Sequence, residues 1–499
     1  MTYAVYRKKM ILLPSVLLAC SSVVLSFGCG SSKGGQAPSV KTAQGALQLS
    51  PPTVNLTLGG RVGFVPANGA VATSPSRCTW QAADTTILSS MGNGEFVGMG
   101  IGSSSVTAIC GNSSTSASVL VSSAADPAAI RITSGGTYSG NWVSTDPKVP
   151  AVMILTNEPV VLRDSTVTGK GDLIIVYGSQ GGANVTIDNV TGTALDPGVA
   201  GLARGKFVGA DIMSSLSVTH CTMHGVSFGV YVASSTMSSL TIKDNFADNL
   251  DDRESDGQGG YLLNKRMLGH LIQLNGVSLP NGGEIAWNEM INADGVASIE
   301  DVLSFYQSHG AAENAVLVHD NYLQGAIATG QTTPYTAGGV QMDGGSNDPS
   351  TATGFVQINN NTIVHLAGFG ISIGAGHDIS VTGNRIVSCG KYGSGNWISG
   401  PGATALEMGN YYQTNQYYNN YIGDNSGGLV VPDANGNPSP GNNVYAPSAS
   451  VSLNNIVGTN IFDQPCLTAS GLNLDAESAE ETRWLATASS AGEVPGDQH

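Results

Sequence analysis

Three acid-rich stretches hold the residues best suited to chemistry. The first is Asp251-Asp252-Arg253-Glu254-Ser255-Asp256, followed by Lys265, Arg266 and His270. The second runs from Glu284 to Gly310 and contains Trp287, Glu289, Asp294, Glu300, Asp301, Tyr306 and His309. The third is Gln341-Met342-Asp343-Gly344-Gly345-Ser346-Asn347-Asp348. Carboxylates gathered on one face work in either of two ways. A pair serves as general acid and base at a glycosidic bond, with the separation setting the stereochemical outcome. Alternatively, several hold Ca²⁺ while a Lys, Arg or His removes a sugar proton. Asp251, Asp252 and Asp256 are candidate Ca²⁺ ligands, although they lack the glycine-anchored spacing of a calcium loop. Arg253, Lys265 and Arg266 form a candidate basic patch for substrate, and Trp287 and Tyr306 are candidate stacking platforms for sugar rings. His220 and His224 are read as packing residues. No phosphate-cradling glycine loop, GxSxG elbow or HExxH motif is present.

Something must bring these stretches together, and a repeat supplies it. An alternating apolar strand, a small or amide residue and a further apolar position recur along residues 129–465. Examples are Val218-Thr-His-Cys221, Ile242-Lys-Asp-Asn245, Ile285-Ala-Trp-Asn288, Val318-His-Asp-Asn321, Ile358-Asn-Asn-Asn361, Val381-Thr-Gly-Asn384, Tyr417-Tyr-Asn-Asn420 and Leu453-Asn-Asn455. The short intervals are 23 or 24 residues, and the longer ones read as one coil plus an insertion. A period near 23 with two or three strands per repeat predicts a parallel β-helix, whose coils must stack to bury their apolar positions. Amides at one bend of every coil would bond to those above and below, sparing ~1–3 kcal/mol for each buried group that would otherwise go unmet.

This pattern resembles the right-handed parallel β-helix family with pectate-lyase-like architecture. The resemblance implies an all-β fold shared by lyases, hydrolases, tailspikes and adhesins, so it speaks to fold more than to activity. It also implies a substrate groove faced by an acidic pair in a middle coil and another acid one or two coils later. On that basis Glu300 or Asp301 is expected as the acid, Asp343 as base or nucleophile, and His309 as an auxiliary proton carrier. Gly368-Phe369-Gly370-Ile371-Ser372-Ile373-Gly374 resembles the glycine-rich coil of polygalacturonases, but Phe369 stands where those enzymes use histidine.

The ends of the chain read differently. Arg7, Lys8 and Lys9 precede an apolar run from Met10, an export-signal pattern over 1–28. Cys20 and Cys29 each resemble a bacterial lipoprotein acceptor, and the Gly/Ser-rich stretch at 29–45 after Cys29 favours that cysteine as the lipid attachment site. Residues 46–123 alternate as short strands between Gly and Ser turns, the pattern of a small β-sandwich. They resemble a bacterial immunoglobulin-like domain of the intimin/invasin type, and a Cys78–Cys110 disulfide is expected there. Cys389 and Cys466 form a possible second pair. The acidic tail 466–499 reads as helical around Ala476–Trp484, capping the coil or trailing from it.

Of 499 residues, 66 are glycine and only 11 % are charged, against ~25 % in an average domain. The net charge of −16 becomes −19 once the three signal cations are removed, which excludes a general nucleic-acid binder. The sequence therefore predicts an exported monomer, at the outer membrane or cell surface, acting on polysaccharide. A glycan-cleaving lyase or hydrolase, with or without Ca²⁺, is the leading expectation. A non-catalytic adhesin or matrix protein is the alternative.

Overall fold

The computed structural model describes residues 47–59, 61–68, 71–72, 78–111, 113–122, 129–328, 336–398, 403–448, 450, 453–469 and 471–493. The predicted signal and tether, with Cys20 and Cys29, lie outside the described residues.

Residues 130–457 wind into a parallel β-helix. One sheet stacks eleven strands in chain order, from Ile130–Ile132 through Ile272–Ser278, Asp301–Tyr306, Gly338–Asp343, Phe369–Ile373 and Thr404–Met408 to Asn442–Tyr445. Every neighbouring pair in it is parallel. At ~4.8 Å per strand the stack rises about 50 Å. A second sheet carries the two remaining strands of each coil on either side of a bend. The register explains the sequence period. Val152, Ile174, Val208, Val230, Ile272, Leu303, Val340, Ile371 and Leu406 stand directly above one another and are buried. The residues alternating with this column, Tyr231, Gln273, Ser304, Gln341, Ser372 and Glu407, face away from the core.

The amide ladder is present at the bend. Nδ2 of Asn245 donates to Oδ1 of Asn288, and the pattern passes on through Asn321, Asn361, Asn384, Asn425 and Asn460 at 2.8–2.9 Å. The ladder leaves the expected track at its end: Asn420 and Asn455 stack on a different bend, and Asn425 and Asn460 continue the main one. Left-handed residues mark this bend in most coils, with φ between 47° and 59° at Asp164, Asn189, His220, Asp244, Trp287, Asp320, Asn360 and Asp424, and 68° at Gly383. Asp, Asn and His adopt this conformation more readily than other residues with a side chain, whereas Trp287 is costly there.

Residues 47–122 form a small sandwich with its own core of Leu49, Phe64, Leu88, Phe96, Val106 and Val119. The Cys78–Cys110 disulfide ties two of its adjacent strands together. A second disulfide, Cys389–Cys466, anchors the start of the C-terminal segment. The expected helix runs from Asp475 to Ala491 and neither caps the coil nor trails from it. It lies along the flank, where Trp484 packs on Trp287 and Tyr322 and donates its indole N–H to Asp320 O at 2.7 Å. Glu480 pairs with Arg385 near one end of the helix, and Glu493 with Lys243 at the other. Among the described residues, no helix is long and apolar enough to cross a membrane.

Candidate functional site

Asp301–Tyr306 and Gly338–Asp343 are neighbours in the eleven-stranded sheet, with Tyr306 paired to Asp343 and Asp301 to Gly338. Glu300 enters the first of these strands. Its backbone N–H donates to Gly269 O at 2.9 Å, which seats it against the segment Arg266–His270. Gly269 is glycine for a reason: a Cβ there would lie 2.2 Å from Ser227 O and 2.7 Å from the Asp252 Cβ. The long insertion at 251–268 is thus drawn tightly onto the edge of the sheet, and Arg266 arrives beside Glu300.

Burial pushes the Glu300 carboxyl up, and the Asp343 charge pushes it further, to about 7; Arg266 works in the opposite sense. His270 Nε2 lies 3.6 Å from Glu300 Oε2. Burial drives this imidazole down to about 3, helped by the Arg266 charge, so it is neutral beside Glu300. Asp343 stands next to two phenols, Tyr306 and Tyr412. Both are raised, first by burial and then by the Asp343 charge. Tyr412 reaches Asp343 because the loop 409–416 clasps the loop 344–352: Thr414 donates to Ser346 O at 2.5 Å and Asn415 N–H to Asn347 Oδ1 at 2.9 Å. On the N-terminal side the outward face continues through His270, Phe228 and Tyr231, with Lys206 Nζ 5.6 Å and 5.8 Å from the two ring centroids. The result is a strip of aromatic and polar groups along the coil axis, with an acid pair at its centre.

The structure puts Tyr306 and Asp343 side by side and Glu300 at the opposite end of the same strand pair, and it places the other expected residues elsewhere or commits them. Asp301 is buried and accepts the Gly338 N–H at 3.2 Å, so it braces the strand pair. His309 lies in the turn beyond Tyr306, with Nδ1 2.9 Å from Gly310 O. The charges acting on Glu300 are those of Asp343, Arg266 and Asp252, without His309. Trp287 is no sugar platform: it is 6 % exposed and covered by Trp484. The expected basic patch is largely neutralised. Arg253 makes two bonds to Asp251, at 2.7 and 2.9 Å, and stacks on Tyr261. Arg266 grips Asp252 at 2.7 Å, and Lys265 remains exposed on the hairpin. These pairings also correct the Ca²⁺ reading. Asp251 and Asp252 have arginine partners, and Asp256 accepts the backbone N–H groups of Gln258 and Gly260 within its own turn.

Ligand atoms of His270, Glu300 and Asp301 lie within 4.8 Å of one another. With Asp301 committed to Gly338 and the Arg266 cation already nearby, the group suits a shared proton better than a metal ion. A hollow of about 600 Å³ lies on the other sheet, lined by Ser238, Asn281, Glu284, Glu313, Asn314 and Gln357. Glu284 there is within 3.2 Å of His319 Nε2. Sequence reasoning places His270 in the first acid-rich stretch without a role, and it does not join Tyr412 to Asp343. Tyr412 is 69 positions from Asp343, and no local pattern records the loop clasp that unites them.

Comparison with protein-family models gives no match, and comparison with curated proteins gives none either.

Proposed function

We propose that this chain is an exported, surface-anchored β-helix protein that cleaves polysaccharide, with Glu300 as general acid and Asp343 as its partner carboxylate. The observation that carries this reading is the contrast between two acids on adjacent strands: burial, with a further push from the Asp343 charge, holds Glu300 toward its protonated form, while Asp343 stands beside two phenols at the far end of the strand pair. An acid that keeps its proton near neutrality protonates a leaving oxygen, and a carboxylate across the bond stabilises or attacks the oxocarbenium-like centre or activates water. This favours hydrolysis over β-elimination, because among the described residues Arg266, the cation acting on Glu300, is engaged by Asp252. Tyr231, partly exposed on the outward face beside Lys206, suits a sugar face. The resemblance to pectate-lyase-like β-helices supports the placement of the groove. The sandwich is read as an immunoglobulin-like spacer, and Cys29 as the lipid anchor.

The test is a panel of neutral and acidic polysaccharides, with and without Ca²⁺, read by new reducing ends and by unsaturated-uronate absorbance. Reducing ends without that absorbance are expected. The rate should fall by about 10²–10⁴-fold in Glu300→Gln and in Asp343→Asn. Absence of turnover on every substrate, or turnover indifferent to both substitutions, overturns the reading. Binding without turnover would make the protein an adhesin.

A further inference from the structure

We infer that the C-terminal end of the coil is a two-fold contact surface for a second copy of this chain. The strands Asn442–Tyr445 and Ile456–Val457 are the last in their two sheets, and among the described residues no strand bonds to their far sides. The end is apolar. Leu453, Ile456 and Ile461 are 65 %, 54 % and 68 % exposed, and Val444, Val457 and Phe462 beside them are only partly covered although they touch the main core. Open strand edges next to exposed aliphatic side chains are templates for association.

Two observations select the occupant. The first is reach. The C-terminal helix folds back along the flank, and Glu493 is tied to Lys243. Six coil steps, through Ala286, His319, Asn359, Thr382 and Gly423, separate that point from the open end. This is about 29 Å at ~4.8 Å per step. The described C-terminal segment, through Glu493, therefore runs away from the open end and leaves it uncovered.

The second observation is charge. Two copies of a chain with net charge −16 repel each other over most of their surfaces. From Ala434 to Phe462, however, the sequence contains no Asp, Glu, Lys or Arg. The nearest acids on either side are engaged: Asp433 accepts N–H groups from Asn435 and Asn437 in its own turn, and Asp463 pairs with Arg385. The stretch also exposes the amides of Asn442 and Asn454, which both donate and accept and so match a copy of themselves. A closed two-fold contact uses the same patch on both partners. An end this uncharged, apolar and amide-rich fits that requirement, and the small cross-section of one coil makes the association concentration-dependent.

The test is sedimentation velocity of the full chain from about 1 to 100 µM. The wild type should pass from monomer to dimer. Ile456→Lys and Ile461→Asp should each weaken self-association at least tenfold, with unchanged circular dichroism and melting temperature. Thr459→Lys, at another exposed position on the same end, gives the same readout should either of those misfold. Leu263→Asp, at an 84 % exposed site on the hairpin, should leave the dimer intact. A wild type that stays monomeric throughout, association that survives the charges at 456, 459 and 461, or association lost through Leu263→Asp would each overturn the proposal.

Discussion

Glu300 owes its proton to where the backbone puts it. Bonded to Gly269 O and lying against neutral His270, its side chain is 19 % exposed and shares its surroundings with Asp343. Such a carboxyl costs stability when it ionises. The folded state holds this proton more tightly than the unfolded chain, so the contribution is complete below about pH 4.5. It is lost as the pH rises through about 7. Glu300→Gln should remove that slope and make the protein more stable at pH 8 by about 1–3 kcal/mol, while leaving it little changed at pH 4.5. Urea titrations at the two pH values check this. Equal stability of variant and wild type at pH 8 would mean that the carboxyl is not strained. Cys221 is a contrasting case, since burial pushes its thiol up to about 12 and makes it inert packing.

At the scale of elements, the amide ladder is the device whose loss is most readily measured. Asn321 Oδ1 accepts from both the backbone N–H and Nδ2 of Asn288, and its own Nδ2 donates to Ile285 O and Asn361 Oδ1. Asn321→Ala strands several buried partners at once. It should cost about 2–4 kcal/mol, more than a surface Asn→Ala, as read from denaturant midpoints. The C-terminal helix offers a second test. His365 lies between Glu477 on the helix, at 2.9 Å, and Asp294, at 2.7 Å. Burial opposes its charge, but the two carboxylates outweigh burial and raise it to about 9. The clamp is at full strength below about pH 6.5 and is lost as the pH climbs through about 9. Limited proteolysis should therefore release the helix faster at pH 9.5 than at pH 6.5, and His365→Gln should abolish the difference. Cleavage that is pH-independent in the wild type would contradict this.

The coil was legible in the sequence because one physical rule repeats. A left-handed residue, a buried amide and flanking aliphatic positions recur at each bend, and five amides from Asn245 to Asn384 were identified directly. The last two were misplaced because the same signature occurs twice in the final coils, at 419–420 and 424–425. The site was only partly legible. Glu300, Asp343 and Tyr306 lie on or beside coil strands, whose register the period fixes. The roles of Arg253, Arg266 and Trp287 depend on what folds over them, and no spacing encodes a salt-bridged hairpin or a returning helix. Trp287 shows the point well: it looked like a sugar platform, yet it is a left-handed bend residue held by Trp484.

For the whole molecule, the proposed function puts a polysaccharide along the eleven-stranded face, parallel to the coil axis, with Glu300 and Asp343 as the acids that cut it. The most direct test is a crystal structure of Glu300→Gln soaked with an oligosaccharide that the wild type turns over. Sugar rings should run past Tyr231, with a glycosidic oxygen within hydrogen-bond reach of the amide at position 300 and Asp343 next to the anomeric carbon. Sugar bound on the other sheet, on the sandwich or at the C-terminal end, with the acid pair untouched, would contradict it.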